Sequence, residues 1–224
     1  MTRLLTALLL VVSARAAAAQ DVGLRRHHLN VNVGVATSGG YDVGVAAAEL
    51  RGNGPGALPP PFPYFLAESR MKRATTHEVR IGFAVTRRIA VEGAAALGNA
   101  RIGVAISGDA EAPAQDLFGE DVKQYLFEGG VSWQLPMTVG RVAPFVSAGG
   151  GFLRQLHEER TLAETGQLYY AGGGARYWLM GGGRSSMALG LRGDVRLNVR
   201  HRGIDFENKL RTYPSLALAL FLGL

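Results

Sequence analysis

The side chains with most scope for chemistry are eight charged residues set inside otherwise apolar, regularly patterned stretches: Glu78, Arg80, Glu92, Glu128, Arg176, Arg192, Asp194 and Arg196. Four are carboxylates and four are guanidiniums. Carboxylates can move protons and arginines can hold anions, but a set balanced in sign has a simpler option. Guanidiniums and carboxylates pair through parallel hydrogen bonds, so the eight can neutralise one another as an ion-pair network. The functional alternative is a path along which ions pass between paired charges.

Other candidate chemistry is thin. The histidines are His27, His28, His77, His157 and His201. His77 shares the parity of Val79 and Ile81, which points it to the apolar side of its stretch, and no serine lies near it for a nucleophile–base pair. His77, His157 and His201 come from separate segments without ligand spacing, so neither a metal nor a cofactor is expected. The chain has no cysteine, which excludes a thiolate zinc site and a disulfide-stapled fold. Arg192-Gly193-Asp194 spells an adhesion tripeptide but sits inside a regular stretch, and Arg51-Gly52-Asn53-Gly54 reads as a turn. The isoelectric point near 10.0 raises nucleic-acid binding. The arginines are scattered, so no nucleic-acid partner is expected. Arg70, Lys72 and Arg73 form one small basic cluster that suits either solvent or an anionic lipopolysaccharide.

The elements carrying these residues show period two. From Met187 to Val199, the residues Met187, Leu189, Leu191, Val195, Leu197 and Val199 alternate with Ala188, Gly190, Arg192, Asp194, Arg196 and Asn198. A helix would scatter these residues around its circumference, so the pattern is that of a strand with one apolar face. Eight such segments are placed, over 27–37, 76–86, 89–99, 122–134, 142–154, 167–179, 186–200 and 209–224. They are long for soluble strands and match the ~9–11 residues that a tilted strand needs to cross a bilayer. Short turns near 86–88, 135–141 and 180–185 alternate with long connections, the longest from Ser38 to Thr75. Gly52 to Pro63 within it is rich in Gly and Pro and is expected to lack regular structure.

Alternation alone does not say which face is inside. A soluble periplasmic ligand-binding barrel puts apolar residues in, and a transmembrane barrel puts them out. The polar parity here is mostly Gly, Ala and Ser with few charges, a poor solvated surface and a good packed interior. The expected fold is therefore all-β: an eight-stranded, antiparallel, up-and-down transmembrane β-barrel. All eight charged residues would then face the lumen. Glycine is abundant, with 31 in 224 residues. Gly129, Gly130, Gly149 to Gly151 and Gly172 to Gly174 are expected to make room for the arginines. Tyr125, Phe127, Trp133, Tyr169, Tyr170, Tyr177, Trp178 and Phe221 are expected to contribute to interfacial girdles. Residues 1–19 have the basic start, apolar core and small-residue end of a cleaved secretory signal, leaving 20–224 as one barrel domain.

Ala143-Pro144-Phe145-Val146-Ser147-Ala148-Gly149-Gly150-Gly151, Gly172-Gly173-Gly174-Ala175-Arg176-Tyr177 and Gly190-Leu191-Arg192-Gly193-Asp194-Val195-Arg196 resemble strands of the small outer-membrane β-barrel proteins, the OmpA/OmpX-type eight-stranded group. The resemblance implies residence in the cell outer membrane among its lipid and lipopolysaccharide. The alternating last strand is similar to the signal read by the barrel-assembly machinery. Some members of this class modify lipid A, but the residues present suggest no enzyme. The expected role is structural or surface-interactive, as a monomer. A narrow porin-like conduit for ions or small solutes is the alternative.

Overall fold

The computed structural model describes Leu24 and residues 28–50, 62–109, 113–117, 119–157, 161–180 and 187–224. Residues 1–19, read above as a secretory signal, lie outside the described residues, as do His27 and most of the Gly52–Pro63 stretch. The described residues form β1 (Leu29–Ser38), β2 (Tyr41–Leu50), β3 (Phe62–Met71), β4 (Ala74–Ala84), β5 (Ile89–Ser107), β6 (Gln115–Leu117), β7 (Asp121–Gln134), β8 (Val142–His157), β9 (Leu162–Met180), β10 (Ala188–Arg202) and β11 (Arg211–Gly223).

Eight of these close a ring. Reading around it, β1 pairs β4, then come β5, β7, β8, β9, β10 and β11, and β11 returns to β1 with Val33 opposite Leu220. Every pairing is antiparallel. Closure removes the free sheet edges that would otherwise invite pairing with other chains. The eight ring strands are those expected from period two, and several run on past the expected ends. β5 continues to Ser107 and β9 starts at Leu162, both at the end of the barrel that carries the long connections.

The orientation of the wall follows from which parity is covered. Val33, Val79, Ile81, Val91, Val195, Leu197, Leu216, Leu218 and Leu220 all stand on the outer surface, about half exposed or more. Asn30, Asn32, Arg80, Glu92, Gln124, Arg176, Arg192, Asp194, Arg196 and Asn198 are buried inside. A continuous apolar belt of this size is not sustained in water, whereas lipid satisfies it and lets the polar face pack within. The soluble-barrel alternative is thereby overturned, because it needs the opposite assignment of the two faces.

Two expectations are corrected. The first long connection is not irregular throughout: β2 and β3 form a hairpin within it, Tyr41 opposite Met71. β3 then pairs the outer half of β5, Met71 opposite Ile102, and β6 adds to β5 with Val104 opposite Leu117. β3 and β6 find their hydrogen-bond partner on the long β5 and β2 finds its own on β3, so the chain on either side of the Gly- and Pro-rich stretch is drawn into the sheet. The second correction concerns glycine. Gly130, Gly149, Gly151, Gly172 and Gly174 line the lumen as expected, but Gly129, Gly150 and Gly173 share the parity of the lipid-facing residues. A side chain at Gly129 would meet nothing within 4 Å. Alternation along a glycine run divides it between the two faces.

Candidate functional site

The lumen is a stack of polar and aromatic layers. Glu92 on β5 is the hub. It accepts hydrogen bonds from Arg192 Nη1 and Nη2 at 2.8 and 2.9 Å, from Arg176 Nη2 at 3.1 Å and from the Ser132 hydroxyl at 2.8 Å. Arg80 Nη1 is 3.5 Å from its other face. Arg192 also forks onto Asp194, with Nε donating at 2.8 Å. Arg80 donates to Glu78 at 2.9 Å and to Glu128 at 3.1 Å, and Arg196 donates to Glu128 at 3.3 Å. Arg196 also stands 3.7 Å from Glu78 and 3.6 Å from Asp194. The structure thus brings all eight charged candidates into one connected network, drawn from β4, β5, β7, β9 and β10.

Glycine and aromatic residues shape this network. The Arg176 and Arg192 guanidiniums lie over the Phe145 ring at 4.5 and 4.7 Å, and Arg196 lies over Tyr170 at 5.0 Å. A β-carbon at Gly174 would fall 2.9 Å from Phe145 Cζ, and one at Gly149 would fall 2.7 Å from the Tyr170 hydroxyl. Small residues on one wall therefore admit the rings and arginines of the other. This also revises the girdle expectation. Phe127, Trp133, Tyr169 and Tyr177 do face outward, but Tyr170, Trp178 and Phe221 turn in. Trp178 and Phe221 meet edge to face at 4.7 Å near the end with short turns. Leu24, packed with Ala84 and Ala90, lies at that same end.

At the other end the lumen is sealed by the hairpin. Tyr41 stacks on Tyr213 with ring centres 4.9 Å apart. Val43, Met71, Ala74, Ala100, Ile102, Val122, Leu168 and Ile204 pack with them into one apolar cluster. Arg200, fully buried, ties the parts together. It donates to the Tyr41 hydroxyl, to the Arg202 carbonyl at 2.7 Å and to the Ile204 carbonyl at 2.8 Å. Below this seal, a cavity of about 40 Å³ bordered by Thr76, Gln124, Asn198 and Ser215 has room for water.

The β10–β11 loop is braced from outside. Arg211 donates to both Asp205 oxygens at 2.8 and 3.0 Å, to Glu207 at 2.9 Å and to the Val43 carbonyl at 3.1 Å. Burial acts to raise the Asp205 carboxyl, but the Arg211 hydrogen bond, the Glu207 N–H and the nearby cations outweigh it and hold it below the usual carboxylate range.

The remaining sequence candidates stay apart. His77 is exposed on the outer wall, His157 ends β8, His201 lies near the end of β10, and His28 contacts the Leu224 carbonyl. Among the described residues no group of three His, Asp or Glu side chains is placed to hold a metal. Arg192-Gly193-Asp194 is a mid-strand segment with both charges in the lumen. The pin at Arg200 was not singled out from the sequence, although it continues the even parity of Arg192, Arg196 and Asn198. Tyr41 and the Asp205–Arg211 brace had no such signal.

Neither a protein-family model nor a curated protein sequence matches the chain. Solved structures do. The outer membrane protein OprG from Pseudomonas aeruginosa matches with a TM-score of 0.51 at 11% identity, over 90% of this chain and 96% of that one. The fold is that of a small outer-membrane β-barrel. Ail of Yersinia pestis, solved with the heparin analogue sucrose octasulfate, gives a TM-score of 0.40 at 11% identity over 89% of this chain and 98% of its own. AlkL in lipid bilayers gives 0.37 at 15% identity over 92% of each chain. These two scores lie below 0.5 and carry no further argument.

Proposed function

We propose that this chain is an integral protein of a bacterial outer membrane that works through its outer surface rather than through its lumen. The observation that carries this reading is the double obstruction of the lumen. A self-neutralising network fills the middle, and an apolar cluster pinned by Arg200 covers one mouth. An ion entering would have to part guanidiniums and carboxylates that already pair with one another, and among the described residues no chain of unpaired like charges leads it through. The parts free to meet a partner are the hairpin β2–β3, the outer half of β5 and β6, which together form a platform above the barrel on the side of the long connections. Lipid and lipopolysaccharide surround the wall, and the role is non-enzymatic.

Planar-bilayer recording with the full chain tests the reading. The expected result is a silent bilayer together with recovery of the protein in outer-membrane fractions and a mobility change on unboiled gels. Stable, stepwise openings would replace the closed barrel by the conduit.

A further inference from the structure

The platform contains a cavity that the sealed lumen does not use. Its volume is about 580 Å³, and it is bounded by β2, β3, β5, β6 and the β10–β11 loop. That size falls in the ~300–1,000 Å³ range of small-molecule sites. Its charged lining divides into groups that are spent and groups that are free. Arg211 is saturated by Asp205 and Glu207, and Arg70 pairs Asp42 at 3.4 Å. Among the described residues, Glu68, Asp116 and Lys72 line the cavity without an ion-pair or side-chain hydrogen-bond partner. The Lys72 stem crosses Gly103, where a β-carbon would fall 2.6 Å from its Cε. Val45, about half exposed and paired with Glu68 on the same face of the sheet as Asp116, gives the cavity an apolar wall.

We propose that this cavity binds a small zwitterionic ligand of net positive charge, such as a short basic peptide. Two free carboxylates against one free ammonium select a ligand with more cationic than anionic groups, because each ligand charge is best met by a direct opposite partner. Glu68 and Asp116 hold the ligand's ammonium groups, and Lys72 holds its carboxylate. The apolar wall takes an aliphatic side chain. Gly103 keeps the Lys72 stem low enough to leave the volume open.

This inference rests on the platform being the working surface, and calorimetry on the full chain in detergent micelles tests it separately from the conductance experiment. The probe is the dipeptide lysyl-leucine, with glutamyl-leucine and lysyl-leucinamide as comparisons. Saturable binding of lysyl-leucine and far weaker binding of glutamyl-leucine are expected. Glu68→Gln and Asp116→Asn each weaken lysyl-leucine about tenfold. Lys72→Met weakens lysyl-leucine but leaves lysyl-leucinamide, which lacks the carboxylate, unchanged. All three positions are exposed, and unboiled-gel mobility confirms that each variant folds. Absence of saturable binding, equal affinity for glutamyl-leucine, or indifference to the Glu68 and Asp116 changes would overturn the proposal. Such a failure leaves the closed barrel standing, whereas conductance steps with binding intact would remove the closed barrel alone.

Discussion

Replacing Glu92 with glutamine removes one charge from the middle of the lumen and almost no volume. The carboxylate accepts four hydrogen bonds of 2.8 to 3.1 Å, three of them from the guanidiniums of Arg176 and Arg192. An amide keeps one acceptor oxygen and turns an NH2 group toward donors. Four buried arginines are then left with three carboxylates. Breaking a buried pair by removing one partner costs about 3–5 kcal/mol, because the surviving charge stays out of water. The comparison is Asp121→Asn. Asp121 pairs Arg101 at 2.8 Å, as close as the Glu92 contacts, but both side chains are more than half exposed. Distance is matched and environment differs, so the exposed variant should leave the unfolding midpoint in place. Equilibrium denaturant unfolding in detergent micelles reads both variants. A double replacement, Glu92→Gln with Arg192→Met, restores the balance of charge and should recover part of the loss. If Glu92→Gln unfolds with the wild type, or if Asp121→Asn costs as much, the lumen charges are not acting as a desolvated network.

Other outcomes follow from the same geometry. Gly149→Ala should destabilise the barrel by driving a methyl group against the Tyr170 hydroxyl and the facing backbone, while Gly129→Ala on the lipid face should be neutral; equal effects in thermal unfolding would erase the two-face reading of the glycine run. Arg200→Met should free the hairpin from Ile204 and speed protease cleavage of the first long connection in intact cells, and an unchanged cleavage rate would show that Arg200 is not the pin. Asp205 has a lowered folded-state pKa, so its bracing is complete above the ordinary carboxylate value of ~3.9 and fades as pH falls toward and through the folded one. Protection of the β10–β11 loop amides, taken relative to their intrinsic exchange rate at each pH, should therefore fall on acidification in the wild type, and Asp205→Asn should be poorly protected at every pH. A wild-type loop indifferent to acid would contradict the assignment.

Much of the barrel was legible because a strand records its environment with period two. In β10 that record is nearly unbroken: the odd residues Leu189, Leu191, Val195 and Leu197 face out, and the even residues Arg192, Asp194 and Arg196 face in. Parity alone therefore assigned all eight charges to one side. It could not separate lipid from water on the other side, and only the composition of the polar face tipped that choice. The platform was less legible for a related reason. The β2, β3 and β6 strands are short or lie beside glycine and proline; β3 and β6 pair an overhang of β5 that no local pattern announces, and β2 joins the sheet only through β3. Runs of glycine misled because neighbouring glycines look alike in sequence but alternate between packed lumen and open lipid.

By itself, the sequence determined the strand count of the ring, its antiparallel order and the identity of the lumen charges, since each depends on alternation and connection length along the chain. Tertiary structure alone decided how those charges are shared. Glu92 became the hub because ring closure brings β9 and β10 across to β5 and its neighbour β4, and Arg200 became a pin because the hairpin folds back over the mouth. Both depend on contacts between residues up to 159 positions apart, set by the diameter and stagger of the closed wall rather than by any local preference.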